Sequence, residues 1–376
     1  QLDSYYGIPK LRTPLDTANI CPTDAIQLIA DDKGFLYPSI NSSACISCGL
    51  CERACPQALP FSGEKPMKAY ALKAKDAQLL ANSASGGAFG VLVHTLYDDG
   101  QPVAVFGASY DDTMCIVHNC TLEERSCLAF HGSKYVQSDT ELTFRQVKQY
   151  LVQGMRVLYS GTPCQVDGLR RFLEASRCDC NNLILVDLIC HGGASPEIWK
   201  SYKDFLVKEN NSKLCSISTR NKEFGWRQYA PTAVFENGKI KIQTPDVRSY
   251  LSAFMSGLIF RDSCYNCRYA RHERISDLTI GDFWGIENCA PDFADERGVS
   301  LVLVNSAKGE ALLSQAAQFC ELRLSKPDEY LPRQNNLKQP SNRPKECDFM
   351  WQYYRDFGFK RTAQRYFQYS DYYKFR

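Results

Sequence analysis

The chain has 376 residues, 44% of them hydrophobic, enough for two or three core-forming domains at roughly 100–200 residues each. Lysine and arginine total 44 against 42 aspartate and glutamate, which excludes a bulk charge for gripping nucleic acid or an anionic membrane. No run of about twenty apolar residues occurs, which excludes a helical membrane span within this sequence.

In chain order, residues 1–66 are turn-rich and rich in Cys and Pro, with short apolar pieces at Ala25–Ala30 and Gly34–Ile40. From Met67 the texture alternates between strand and helix signals. Ser85-Gly86-Gly87-Ala88-Phe89 opens an apolar helical run over Val91–Tyr97, and Val103–Ser109 and Cys115–Asn119 read as strands. Glu141–Gln153 has helical spacing, Met155–Ser160 is a strand running into Gly161-Thr162-Pro163-Cys164, and Val166–Ala175 is a helix. Leu183–Cys190 is apolar almost throughout, as a strand buried on both faces must be. It leads to His191-Gly192-Gly193 and then to Ser195-Pro196-Glu197, which supplies an N-cap, a proline at N1 and an acid in the first turn of a helix to about Val207. Tyr229–Phe235 and Lys239–Thr244 flank Glu236-Asn237-Gly238, the signal of a type I′ hairpin. Ser276–Phe283 and Val299–Asn305 read as strands and Lys308–Phe319 as a helix. The aromatic-rich tail Trp351–Arg376 is read as a helix pinned to the body, in preference to a base-stacking surface. The expected fold is α+β and α/β: a ferredoxin-like module over 1–66, an α/β body with a mainly parallel or mixed sheet over 67–345, and a C-terminal helix over 346–376.

Eighteen cysteines fit either a disulfide framework or metal ligation. A chain large enough for its own core, with many cysteines at ligand spacing, favours metal binding in a reducing, cytoplasmic compartment. An organelle stays open, since the sequence begins at Gln1 and removal of a targeting peptide would leave such a start. Cys45-x-x-Cys48-x-x-Cys51-x-x-x-Cys55-Pro56 is the bacterial ferredoxin run, in which three thiolates share one [4Fe–4S] cluster and the fourth points at another. The remote partner that completes the first cluster is Cys21, in Cys21-Pro22. Counting back from Cys21 at the same spacing lands on Leu11, Pro14 and Thr17, none a thiolate ligand. One cluster on Cys21, Cys45, Cys48 and Cys51 is therefore expected, with Cys55 facing a lost site; zinc is the weaker alternative.

Seven further segments occur in one order: Ser85-Gly86-Gly87-Ala88-Phe89, Gly132–Ser138, Ser160–Gln165, Cys190-His191-Gly192, Phe224-Gly225-Trp226, Cys264-Tyr265-Asn266-Cys267 and Asp277–Gly285. As a set they resemble the beta subunits of coenzyme F420 hydrogenase and dehydrogenase. The resemblance implies an iron–sulfur flavoprotein with FAD, passing electrons between a ferredoxin-like one-electron carrier or partner redox subunit and a hydride carrier or small-molecule substrate. Relatives use coenzyme F420 or, in a plant branch, reduce a chlorophyll side chain. It also implies a second [4Fe–4S] site on Cys164, Cys190, Cys264 and Cys267, with zinc as competitor. Ser85, Gly86 and Gly87 are the candidates for the FAD phosphates. Lys134, Gln137, Ser138, Gly161, Thr162, Pro163 and Gln165 are candidates around the ring and ribityl. Lys134 and His191 are the candidate catalytic groups; Arg220, Asp282 and His131 read equally well as structural residues. The alternative function is a non-catalytic electron-transfer subunit of a larger redox complex. Nucleic acid is not an expected partner, and a homo-oligomer is left open.

Overall fold

The computed structural model describes residues 17–369, so Leu11 and Pro14 of the degenerate ferredoxin repeat lie outside the described residues. The N-terminal region is a two-stranded antiparallel ribbon, β1 (Ile26–Ala30) and β2 (Leu36–Ile40), followed by the single-turn α1 (Leu50–Arg53). The body begins with β3 (Lys68–Ala74), α2 (Ala77–Asn82), α3 (Ala88–Tyr97), β4 (Val103–Tyr110) and β5 (Ile116–Thr121). Then come α4 (Thr143–Val152), β6 (Arg156–Gly161), α5 (Pro163–Ala175), β7 (Leu183–Leu188) and α6 (Pro196–Asn210). A small antiparallel sheet follows, β8 (Leu214–Asn221), β9 (Ala230–Phe235) and β10 (Ile240–Ile242), capped by α7 (Pro245–Met255). The chain finishes with β11 (Leu278–Asp282), α8 (Ile286–Cys289), β12 (Ser300–Val304), α9 (Ala307–Ala316), β13 (Cys320–Ser325), α10 (Pro327–Tyr330) and α11 (Cys347–Tyr366).

The main sheet has eight strands in the order β13-β3-β12-β11-β7-β6-β4-β5. Its centre, β11-β7-β6-β4, is parallel, and both flanks are antiparallel, so the sheet is mixed. The parallel strands all end toward one edge, where open α/β sheets present their functional crevice. One face is covered by α3 and α9 through Val91, Leu92, Leu312 and Leu313, the other by α4 and α5 through Phe144, Val147, Leu169 and Leu173. A separate aromatic core of Trp199, Tyr202, Tyr250, Trp351 and Phe359 joins α6, α7 and α11. Trp351, Phe359, Phe367 and Tyr369 of the tail bury against the body, as the sequence suggested, whereas Phe357 is exposed. The expected single helix breaks at Gly358 (φ +72°), and Tyr372, Tyr373 and Phe375 lie outside the described residues. No helix among the described residues is long and apolar enough to cross a membrane.

Local details differ from the sequence reading for physical reasons. Helix α5 starts three residues early, because Thr162 and Gln165 form a reciprocal capping box and Pro163 takes the first helical position. The β9–β10 turn is not type I′: Gly238 has φ +79°, whereas Asn237 is absent from the positive-φ residues. Gly238 N–H donates to Phe235 O and Phe235 N–H to Lys239 O, the pattern of a type I turn closed by a left-handed glycine bulge.

Candidate functional site

The first predicted quartet comes together. Cys21, Cys45, Cys48 and Cys51 line one small surface cavity, with Ile26, Ile40, Ile46 and Leu50 among its other walls. The loop carrying Cys45 is folded by Asn41, whose backbone carbonyl accepts from Cys45 N–H and whose side chain accepts from Ser43. Cys21 is held from the body: Arg145 on α4 donates to the carbonyls of Ala18, Asn19 and Cys21 and pairs with Asp24 at 2.7 Å. Burial would raise the Cys21 thiol pKa, but hydrogen bonds at Thr23, Ala25 and Ile26 lower it on balance, favouring the thiolate that a metal binds. Cys45 and Cys48 are exposed, and Ile46 between them is 62% exposed, so this site faces solvent. Cys55 is buried and does not line the cavity; its neighbour Pro56 instead accepts from Arg268 at 2.7 Å.

The second quartet comes together inside the body. Cys164 lies in the first turn of α5, just past the end of β6, and Cys190 follows the end of β7. Cys264 and Cys267 reach them from the loop after α7. Desolvation dominates all four thiols, raising Cys164 to about 11, Cys264 to about 12, Cys190 well above its ordinary value and Cys267 above it too. Cys190 is raised further by Cys264, Cys164 and Cys267, and Cys264 by Cys164 and Cys267, which shows four thiols within electrostatic reach of one another. Such mutual repulsion of thiolates is relieved only by protons or by a bound cation. Each cysteine keeps intermediate surface accessibility despite that desolvation, the combination expected of side chains facing a shared internal gap. Among the described residues no three Cys, His or carboxylate groups converge as tightly as one bound ion requires. A cubane, with each thiolate on a different iron, takes a wider set.

A buried brace holds this arrangement. Arg274 donates to Asp187 on β7 at 2.7 Å, to Leu188 O, to Thr279 on β11, and to the carbonyls of Tyr269 and Arg271 behind Cys267. Tyr269 in turn donates to Asp167 of α5 at 2.8 Å. The two strand ends, the hook loop and the helix of Cys164 are thus fixed to one another.

The remaining candidates fall into two groups along the same edge. Ser138, Gly161, Thr162, Pro163 and Gln165 lie around Cys164, and Gln137 lies against Gly193 and Arg261. Thr162 Oγ1 is 3.2 Å from Cys164 Sγ, and Gln165 donates to Ser138 Oγ at 2.9 Å. Ser138 Oγ is 2.9 Å from His118 Nδ1, and His118 Nε2 is 3.0 Å from Ser160 O. A carbonyl only accepts, so Nε2 carries the proton and Nδ1 accepts from Ser138. Burial lowers the His118 pKa to about 4, which keeps it neutral.

Ser85, Gly86 and Gly87 lie on the other side, at the start of α3 and against β3 and β12. Here the glycine signal has a structural cause: a Cβ on Gly86 would sit 2.2 Å from Leu72 O and 2.4 Å from Ser300 N. Ser85 Oγ is engaged with Val299 O at 2.9 Å. Lys222, which the sequence reading did not single out, donates to Ser85 O at 2.5 Å and Leu80 O at 2.7 Å. Lys134 donates to Ala129 O and His131 O, both at 2.7 Å. Desolvation lowers Lys134 to about 7 and Lys222 to about 8. Between the two groups Arg220 pairs with Asp282 at 2.6 Å and lies over the rings of Tyr229 and Trp284. The other Asp282 oxygen and His131 Nδ1 are buried without a hydrogen-bond partner among the described residues. His191 is exposed, lowered by desolvation, with Asp282 acting in the opposite sense.

Comparison with known proteins finds two matching regions. Residues 154–330 match the family model for the C terminus of the coenzyme F420 hydrogenase/dehydrogenase beta subunit, and residues 18–59 match a 4Fe–4S dicluster domain. Within 18–59 the chain has only Cys21, Cys45, Cys48, Cys51 and Cys55, too few for two clusters. No curated protein matches. Among solved structures, a chain of the F420-reducing [NiFe] hydrogenase complex from Methanosarcina barkeri, xenon-derivatized, aligns at 16% identity and TM-score 0.47, covering 70% of this chain and 84% of that one. Residues 154–330 are thus similar to the C terminus of the coenzyme F420 hydrogenase/dehydrogenase beta subunit, and a region similar to a 4Fe–4S domain precedes them.

Proposed function

We propose that this chain is an FAD-dependent iron–sulfur oxidoreductase, exchanging electrons between a one-electron, ferredoxin-like partner and a hydride carrier or substrate of the deazaflavin or nicotinamide class. The observation that carries the reading is the convergence of Cys164, Cys190, Cys264 and Cys267 at the carboxyl edge of the parallel strands, inward of a second quartet open to solvent. In this reading the eight thiolates hold two [4Fe–4S] clusters. When bound, the clusters supply one-electron transfer and FAD supplies the conversion between single electrons and pairs.

The residues of the crevice suit an anionic dinucleotide. Lys134 and Lys222 are desolvated ammonium groups that donate to carbonyls and form no ion pair with a carboxylate among the described residues. Beside the N-terminus of α3 they bind and neutralise phosphate or reduced-ring charge. Arg220, locked by Asp282 and Trp226 O, holds the floor in place. His191, with Asp282 near it, holds or releases a proton at the open side. The exposed Cys45–Cys48 loop is the docking point for the one-electron partner. Iron, sulfide and flavin analysis of anaerobically purified protein, followed by assays with reduced deazaflavin and nicotinamide carriers, tests the reading. Protein that holds iron but takes up no flavin refutes the enzyme and leaves an electron relay.

A further inference from the structure

Beside the inner cysteine quartet lies a buried arginine that neither motif contains. Arg261 is 1% exposed, and its guanidinium donates to Leu36 O of β2 at 3.0 Å and to Gln137 Oε1 at 3.4 Å. It lies 4.1 Å from the ring centre of Tyr37 and 5.4 Å from that of Phe35. Its backbone is equally committed. Arg261 N–H donates to Gly193 O, Gly193 N–H donates to Cys264 Sγ at 3.2 Å, and Cys264 N–H returns to Arg261 O. One residue thus joins the ribbon of the N-terminal region to the loops of Cys190 and Cys264. Burying a guanidinium is unfavourable unless opposing charge offsets the lost hydration. Desolvation lowers its pKa on balance, and Tyr37, Cys264 and Cys164 act in the opposite sense, favouring the charged form.

We propose that Arg261 is a positioning residue that sets the reduction potential of the Cys164/Cys190/Cys264/Cys267 centre and ties that centre to the docked N-terminal region. This rests on the cluster reading above. The physical basis is charge: reduction adds an electron to an anionic cluster, and a fixed cation in a low-dielectric site favours the reduced state. The solvent-facing Cys21/Cys45/Cys48/Cys51 centre gains much less, because water screens it.

The test is a dithionite redox titration followed by electron paramagnetic resonance, on the full chain and on Arg261→Gln and Arg261→Lys, with iron counted in each. The Cys48→Ser variant identifies which signal belongs to the inner centre. Arg261→Gln is expected to move the inner midpoint to more negative potential and to leave the outer midpoint unchanged. Arg261→Lys, which keeps the charge without the planar fork, is expected to hold wild-type iron and a wild-type inner midpoint. An unchanged inner midpoint in an iron-replete Arg261→Gln overturns the proposal, as do equal shifts of both centres. If Arg261→Gln loses the inner iron, Arg261→Lys decides: restored iron at the wild-type potential supports the charge role, whereas lost iron or a lowered potential overturns it. Wild-type protein with no iron on the inner quartet refutes the cluster reading itself, a separate failure.

Discussion

Replacing Arg274 by methionine removes the charge at the centre of the brace while roughly keeping the side-chain volume. Arg274 and Asp187 have side-chain exposures of 2% and 0% at a separation of 2.7 Å, so neither charge has water to fall back on. Removing one partner of such a pair costs about 3–5 kcal/mol, because the other charge is left buried. Losing the contacts to Thr279, Tyr269 O and Leu188 O adds to this, at about 1 kcal/mol for a typical hydrogen bond. Against a total stability of about 5–15 kcal/mol, the variant should unfold at a clearly lower urea concentration. It should also lose iron from the inner quartet first, since the brace fixes Cys190 and the Cys267 hook. The double variant Arg274→Met with Asp187→Leu removes both charges and should recover a large part of the loss. Urea unfolding followed by circular dichroism, with iron counted after dialysis, makes the comparison. A single variant within about 1 kcal/mol of wild type, or a double variant no more stable than the single, refutes the reasoning.

Other outcomes follow from the same geometry. Lys222→Met should weaken FAD binding by about tenfold or more in calorimetry, equivalent to about 1.4 kcal/mol. Wild-type affinity for FAD should fall as pH rises through 7 and 8, where Lys134 and Lys222 of the empty site lose their protons, and a flat profile contradicts the assignment. Cys48→Ser and Cys267→Ser should each lose about four irons by colorimetric assay, and Cys55→Ser none; a Cys55 dependence would place it among the ligands. His118 has a folded pKa of about 4 against an ordinary 6.5, so below 6.5 the unfolded chain binds a proton that the folded chain refuses. Stability should therefore fall by about 3 kcal/mol as pH drops from 6.5 to 4, and His118→Asn should flatten that slope in acid unfolding.

The parts of the fold that were legible in the sequence are those written in local pattern. The apolar run Leu183–Leu188, the cap and proline at Ser195-Pro196, and the ferredoxin spacing around Cys45 each follow from residues a few positions apart. Strands β3 and β13 were not read, although β3 lies inside the sheet, because their pairing joins residues 69–74 with residues 320–325. Helix α7, which packs against α6 and the small sheet, was likewise missed. In the candidate site the cysteines were visible because thiolate spacing is distinctive. The basic residues of the site were not: Arg261 and Arg274 near the cysteines, and Lys222 on the opposite side, are ordinary until the fold buries them beside Leu36, Asp187 and Ser85. Conversely, Gly86 carried a phosphate signal, and close backbone packing between β3 and β12 accounts for that glycine without a ligand.

The central claim is that eight cysteines form two separate iron–sulfur sites serving one flavin crevice. Iron, acid-labile sulfide and flavin per chain, measured on anaerobically purified protein, test it most directly. The account predicts about eight irons, eight sulfides and one FAD. About four irons would contradict the pairing of an inner with an outer centre, and iron without flavin would contradict the enzyme.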